Sequence, residues 1–418
     1  MAPADHSIEA ARPEASRIHG VDICRSLAIL LAMWSHVLVT FGARWEGDSY
    51  AWLRFVMQMA PVTFICLFGA MLEIAYAAKF RRGRIDEAIR RMLLRSAQCY
   101  LLYVISVAAL LVSGVYSAGY SLRTILLIGI TPYTDILKFY ALALLVAPLL
   151  VSMRLRYGLV PLLFIFVGVQ LAHPLLEPIS YHAAATGKDY VGPILGFLYG
   201  GSDAGVGAPS FVHGMALVCL GMILGDATNA IFSSDRQRAL SGWAWIIGLL
   251  LLSIAVSAHF WTDSSQVLKG IVSLEIRNHN HPFYYALGLS FTVGVMILCI
   301  LLFDIVRVPT SPGLTFIGTT SLFTFCFGNV LLYLQPFGEA RPDHWGATLL
   351  FAAVIPLQSW LFWRLTRPGA VDTSRAARLL RTVMDKANAA IGQGARPLAD
   401  RYAAWLAPHR ADVAPVAV

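Results

Sequence analysis

Residues 17–41 read RIHGVDICRSLAILLAMWSHVLVTF. From Ile23 to Phe41 the only side chains in this stretch that carry charge readily are Arg25 and His36. An α-helix rises about 1.5 Å per residue, so an apolar run of this length covers a hydrocarbon layer about 30 Å thick. The same pattern returns along the chain. A window of about 19 residues predicts spans near 23–41, 55–78, 96–115, 135–153, 158–173, 210–226, 243–261, 283–306, 315–335 and 345–363. The fold class is all-α: a polytopic transmembrane helix bundle of about ten spans, with N- and C-termini cytoplasmic.

Composition agrees with that reading. Of 418 residues, 57% are hydrophobic and 13% charged, whereas charged residues make up about a quarter of soluble domains. No polar block large enough to fold separately interrupts the apolar runs, so the expected division is a cytoplasmic segment 1–16, a membrane domain 17–366 and a cytoplasmic tail 367–418. The first 16 residues are polar and lack an apolar core, which excludes a cleavable signal peptide; the first span then acts as the targeting signal. The six cysteines all sit inside apolar runs without paired spacing and read as buried small hydrophobes.

Charge sets the orientation. With the N-terminus inside, 23 of the 32 Lys and Arg fall on cytoplasmic flanks, among them Lys79, Arg91, Arg95, Arg154, Arg236 and Arg307. The net charge of +8 is therefore topological, and no nucleic-acid partner is implied. Residues 116–134, with Arg123 and the Thr131-Pro132-Tyr133 break, read as an interfacial or re-entrant piece. The largest outer loop, 174–209, is placed to cover an outward-facing pocket. Residues 374–391 form an amphipathic stretch suited to the anionic inner leaflet.

Ionisable groups inside a span are costly and so are functional candidates. Eleven steps of about 100° bring Arg25 and His36 to within roughly 20° of each other, and about 16 Å apart along the helix. One face thus offers a permanent cation near the cytoplasm and an imidazole near the outer leaflet. Asp22 stands one turn before Arg25 and can hold its guanidinium. Taken singly, each has a plainer reading: a snorkelling arginine and an interfacial histidine.

The segment Arg17 to His36, with its Asp-x-x-Arg and Arg-x10-His pattern, resembles the first helix of the membrane acyltransferase-3 superfamily. Further resemblances follow in order. Phe64-Ile65-Cys66-Leu67-Phe68-Gly69 is similar to the end of the second helix, and Arg90-Arg91-Met92-Leu93-Leu94-Arg95 to the basic run opening the third. Asp135-Ile136-Leu137-Lys138-Phe139-Tyr140 is similar to a helix of the glucan-modifying OpgC branch, and Gly318-Thr319-Thr320-Ser321-Leu322 to the opening of a late helix. The resemblance covers about residues 17–363. Phe68 stands where members commonly have serine, and Asn329 near a position where many carry histidine.

The resemblance implies an acyl-CoA-dependent acyltransferase of the bacterial cytoplasmic (inner) membrane. It would move an acetyl or succinyl group to a hydroxyl of a periplasmic or surface glycan, with acyl-CoA as co-substrate and no permanently bound cofactor. In that reading His36, Arg25 and Asp22 are catalytic, and Arg17, Arg91 and Arg95 hold the phosphates of coenzyme A. An imidazole with an ordinary pKa of ~6.5 suits a general base, and an acyl-histidine intermediate is an alternative.

Asp135, Lys138 and Tyr140, at the start of the fourth span, are substrate-binding candidates or anchors. His279 and His281, before the eighth, either bind sugar hydroxyls or form a plain polar loop. Two histidines at i, i+2 without a nearby carboxylate or cysteine do not make a zinc site, so no metal is expected. The rival from another class is a secondary transporter or flippase with a polar path through Arg25, His36 and Glu73; a non-catalytic scaffold is a third. No nucleotide-hydrolysis loop is present. The sequence leaves the oligomeric state open.

Overall fold

The computed structural model describes residues 18–42, 48–185, 191–200, 209–310, 312–336, 344–367, 369–370 and 374–406. Among them every regular element is helical. Backbone N–H and C=O groups have no water to turn to inside hydrocarbon, and helices satisfy them within one segment. Eight helices are long and apolar enough to cross a membrane: His19–Phe41, Asp48–Arg81, Ile85–Val112, Asp135–Tyr157, Phe211–Ile231, Arg236–Phe260, Pro282–Ile305 and Trp345–Thr366.

The other two expected spans are both broken. Val160–Leu171 and His173–Ile179 meet at 59°. The expected span 315–335 divides into Pro312–Thr319 and Ser321–Tyr333, and beside the break the Gly318 N–H donates to Ser26 Oγ at 2.9 Å. All ten apolar runs are thus helical, but only eight form helices long and apolar enough to cross a membrane.

The first helix, α1 (His19–Phe41), ends on Gly42, whose φ of 61° is the left-handed conformation glycine accepts readily. Its neighbours are α2 (Asp48–Gln58), α3 (Ala60–Met71) and four later helices, so α1 lies inside the bundle. A π-helical segment, Leu72–Ala77, prolongs α3 into α4 (Ala78–Arg81). Next come α5 (Ile85–Val112), α6 (Ala118–Ile125), α7 (Asp135–Tyr157), α8 (Val160–Leu171), α9 (His173–Ala185), α10 (Val191–Tyr199), α11 (Phe211–Ile231) and α12 (Arg236–Phe260). The last are α13 (Ser264–Val272), α14 (Glu275–Asn278), α15 (Pro282–Cys299), α16 (Pro312–Thr319), α17 (Ser321–Tyr333), α18 (Trp345–Thr366) and α19 (Arg375–Leu406).

Three devices hold the bundle around α1. A second π-helical segment, Ile300–Ile305, places Asp304 at the start of α1, where its carboxylate accepts from His19 N (2.8 Å) and Gly20 N (2.7 Å). Those amides have no partner within the helix, and an anion there also meets the positive end of the helix dipole. Gly69 of α3 and Gly221 of α11 face each other so closely that a Cβ on either would strike the partner's backbone. Without a hydrophobic drive between helices in lipid, such close approach is how they gain packing. Last, Glu73 is fully buried and pairs with Arg81 and Arg154, whose Nη2 also reaches Asp226 at 2.8 Å.

The opposite pattern marks the periphery. On α12, Leu240, Trp245, Ile247, Leu251, Leu252 and Ile254 are exposed, as apolar residues are where the solvent is lipid. The tail helix is longer than the expected 374–391 stretch. One face of α19 packs on the bundle through Ala377, Ala399 and Leu406, with Tyr402 Oη donating to Leu145 O (2.9 Å) and Gln98 Nε2 to Asn388 Oδ1 (2.7 Å). Leu379, Val383, Leu398 and Trp405 project away from it.

Candidate active site

His36 is about one and a half turns from the C-terminal end of α1. Its Nδ1 lies 2.9 Å from Asn329 Oδ1 on α17. The orientation of that amide is fixed from its other end, because Asn329 Nδ2 donates to Phe325 O at 2.7 Å. An amide oxygen only accepts, so Nδ1 carries the proton and Nε2 keeps its lone pair. The ring lies between aromatic neighbours, stacked on Tyr133 with centroids 4.4 Å apart and edge-on to Phe325 at 5.6 Å.

Tyr133 reaches this position from the irregular segment before α7. That segment bends through left-handed residues Leu127 (φ 68°) and Tyr133 (φ 65°). Tyrosine hydroxyls fasten it: Tyr100 to Ile125 O (2.8 Å), Tyr103 to Thr124 O (3.2 Å) and Tyr116 to Ile130 O (2.6 Å). The irregular backbone of this segment thus finds hydrogen-bond partners among protein side chains.

His36 lines a cavity of about 160 Å³. The wall from α1 is Ile29, Ala32, Ser35, His36 and Val39. The loop before α7 and α7 itself contribute Thr131, Tyr133, Asp135 and Phe139, and the long-loop region 174–209 contributes Phe197 and Pro209. Two arginines that the sequence reading did not single out complete it: Arg54 of α2 and Arg277 of α14. Arg54 Nη1 donates to Ser35 Oγ (2.9 Å) and Ser35 O (3.3 Å), and Arg277 Nη1 to Gln58 Oε1 (3.3 Å).

Arg25 does not line this cavity. Its Nη2 is 3.1 Å from Asp22 Oδ1, the i, i+3 pair expected from the sequence. Between the two groups lies an aromatic layer. Phe64 faces the cavity and meets the Tyr140 ring at 5.2 Å, and Phe68 stands edge-on to Tyr140 at 4.7 Å. The Tyr140 hydroxyl, within electrostatic reach of Arg25, donates to Phe64 O at 3.0 Å. Both side chains stand on α1, but the cavity that His36 lines does not extend to Arg25.

Arg91 and Arg95 both act electrostatically on Tyr76. Their hydrogen bonds are local, Arg91 to Glu87 (3.0 Å) and Arg95 to Gln98 (3.1 Å). Arg17 lies outside the described residues.

Asp135 accepts from Thr131 N (3.1 Å) and Thr131 Oγ1 (2.9 Å). Lys138 is buried, 3.4 Å from Asp135, and donates to Gly129 O (3.0 Å) beneath the Phe197 ring. Of the three fourth-span candidates only Asp135 faces the cavity; Lys138 anchors the preceding loop and Tyr140 belongs to the aromatic layer. His279 Nδ1 lies 3.1 Å from Glu177, and His281 Nδ1 accepts from Phe283 N (3.2 Å) as the N-cap of α15. Burial, reinforced by His173, pulls the His281 imidazole below its ordinary pKa, which keeps that cap neutral. Neither histidine lines the cavity, whereas Arg277 just before them does.

Residues 17–191 match the family model described as heparan-alpha-glucosaminide N-acetyltransferase, catalytic. The matched stretch is under half of the chain and runs from the start of the first helix to the beginning of α10. It contains Asp22, Arg25, His36, Arg54, Asp135 and the basic opening of α5; Arg277 and Asn329 fall beyond it. This is a membrane acetyltransferase family, which supports an acyltransferase reading without singling out the acyltransferase-3 superfamily or its OpgC branch. No curated protein matches the chain.

Proposed function

We propose that this protein is a membrane-embedded acyltransferase that moves a short acyl group from cytoplasmic acyl-CoA to a hydroxyl of a glycan beyond the membrane. The reading rests on one observation: an imidazole whose Nδ1 proton is tied to Asn329, leaving Nε2 as its basic nitrogen, lines a cavity on the helix that also carries Arg25. The partial match to an acetyltransferase family supports it from an independent direction.

In this mechanism Nε2 accepts the hydroxyl proton as the oxygen attacks the thioester carbon. The C–S bond breaks, a C–O ester bond forms, and the proton passes from His36 to the departing thiolate. Arg25, steadied by Asp22, together with Arg91 and Arg95, holds the anionic end of the donor at the basic end of the bundle. The thioester then has to displace Phe64 and Tyr140 to reach His36. Arg54 and Arg277 at the cavity oppose entry of an ammonium group, which favours a hydroxyl over a protonated amine as acceptor.

The transporter reading draws no support from the ion pairs: Glu73 is held by Arg81 and Arg154 in a cluster with Asp226, and among the described residues that cluster does not include Arg25 or His36. The test is transfer from radiolabelled acetyl-CoA to oligosaccharide by nanodisc-reconstituted protein. His36→Ala is expected to lower kcat by about 10²–10⁴-fold. A wild-type rate in well-folded His36→Ala, or wild-type protein that consumes neither acetyl-CoA nor succinyl-CoA, rejects the mechanism.

A further inference from the structure

Among the described residues that line the His36 cavity, the charged side chains are Arg54, Arg277 and Asp135. Asp135 is already committed to Thr131 and lies 3.4 Å from Lys138. Arg277 has one side-chain acceptor, Gln58 Oε1 at 3.3 Å, and its buried Nε has no hydrogen-bond partner among the described residues. Gln58 is itself positioned, since its carbonyl accepts from Tyr284 Oη at 3.0 Å.

The backbone is bent to bring Arg277 here. Leu274, directly before α14 and also on the cavity wall, has φ 67°, a left-handed conformation costly for a residue with a branched side chain. Both guanidinium groups are close enough to act electrostatically on the His36 ring. A partly desolvated guanidinium with an unused N–H is costly unless a ligand completes it, and its planar fork matches carboxylate, sulfate and phosphate oxygens.

We propose that Arg277, supported by Gln58 and Arg54, forms an anion-binding subsite beside His36, so that one of the two groups meeting there carries an acidic substituent. This rests on the acyltransferase reading for its purpose but not for its chemistry. The acid has two possible bearers: an acidic sugar of the acceptor, or the distal carboxylate of a dicarboxylic acyl group.

The experiment compares wild type, Arg277→Gln and Arg277→Lys, all as full-length protein in nanodiscs. Transfer is measured with acetyl-CoA against succinyl-CoA, and with neutral against uronate-containing oligosaccharide. Arg277→Gln is expected to reduce the anionic-over-neutral ratio of kcat/KM by roughly 10- to 100-fold for one of these pairs, with partial recovery in Arg277→Lys. Loss on the donor pair assigns the acid to the acyl group, and loss on the acceptor pair assigns it to the glycan.

A second measurement is independent of turnover: equilibrium binding of succinate and of glucuronate, each against a neutral analogue, to wild type and Arg277→Gln. Wild-type preference for an anion, abolished in the variant, with no transfer in any assay, would keep the subsite and reject the acyltransferase reading. Equal affinity for anionic and neutral probes, or equal losses for charged and neutral partners in Arg277→Gln, would overturn the subsite.

Discussion

At the scale of single residues, Asn329 decides which nitrogen of His36 is basic. Its amide cannot turn over without giving up the bond to Phe325 O, so the imidazole tautomer is set by α17 and not by α1. Asn329→Ala is expected to lower kcat by about 10–100-fold, the usual effect of removing the partner that orients a histidine, while the KM for acyl-CoA holds. Asn329→Asp, which keeps an acceptor opposite Nδ1, should retain the larger part of kcat. Equal kcat and KM losses in both variants would mean that Asn329 only supports packing.

The candidate site was half legible at this scale. Arg25 and His36 share a face because helical geometry is local, and the Asp22–Arg25 pair followed from the same rule. Arg54 and Arg277 carried no such signal. One stands in a stretch of mixed polarity before the second expected span, and the other in a short loop helix whose position depends on Leu274.

At the scale of elements, α3 and α11 cross where Gly69 meets Gly221, and the separation of the two helices is set by the missing side chains. Gly221→Val should cost about 1–3 kcal/mol through overpacking, read as a lower Tm in detergent. Gly248→Val is the control, because a Cβ at Gly248 on α12 meets nothing within 4 Å. Matching Tm losses in the two variants would show that helix propensity, not the crossing, is responsible. Helix ends were the least legible feature. The third expected span began at 96, but α5 starts at Ile85, because Glu87 gathers Lys79, Arg84 and Arg91 into ion pairs that carry the helix past its apolar part. Hydropathy marks where a helix enters lipid, not where its backbone hydrogen bonds stop.

At the scale of the whole molecule, Trp405 and Leu406 of the tail helix share a cavity wall with Phe80, Ile85 and Arg156, and we propose from the positive-inside rule that this end faces the cytoplasm. All six cysteines are buried, so a single introduced cysteine reports cleanly. In intact cells a membrane-impermeant maleimide should label Lys269→Cys, and should label Arg84→Cys only after permeabilisation. The reverse pattern would invert the topology and with it the direction of acyl transfer.

The sequence by itself determined the solvent, the helical class and the alignment of Arg25 with His36, because apolar length and helical periodicity are properties of contiguous residues. Only the tertiary structure decided that Phe64 and Tyr140 pack together beside the cavity, that Asn329 fixes the imidazole proton, and that Arg54 and Arg277 join His36 on one cavity wall. Each of these depends on side chains brought together from distant helices, and no local periodicity encodes which faces meet.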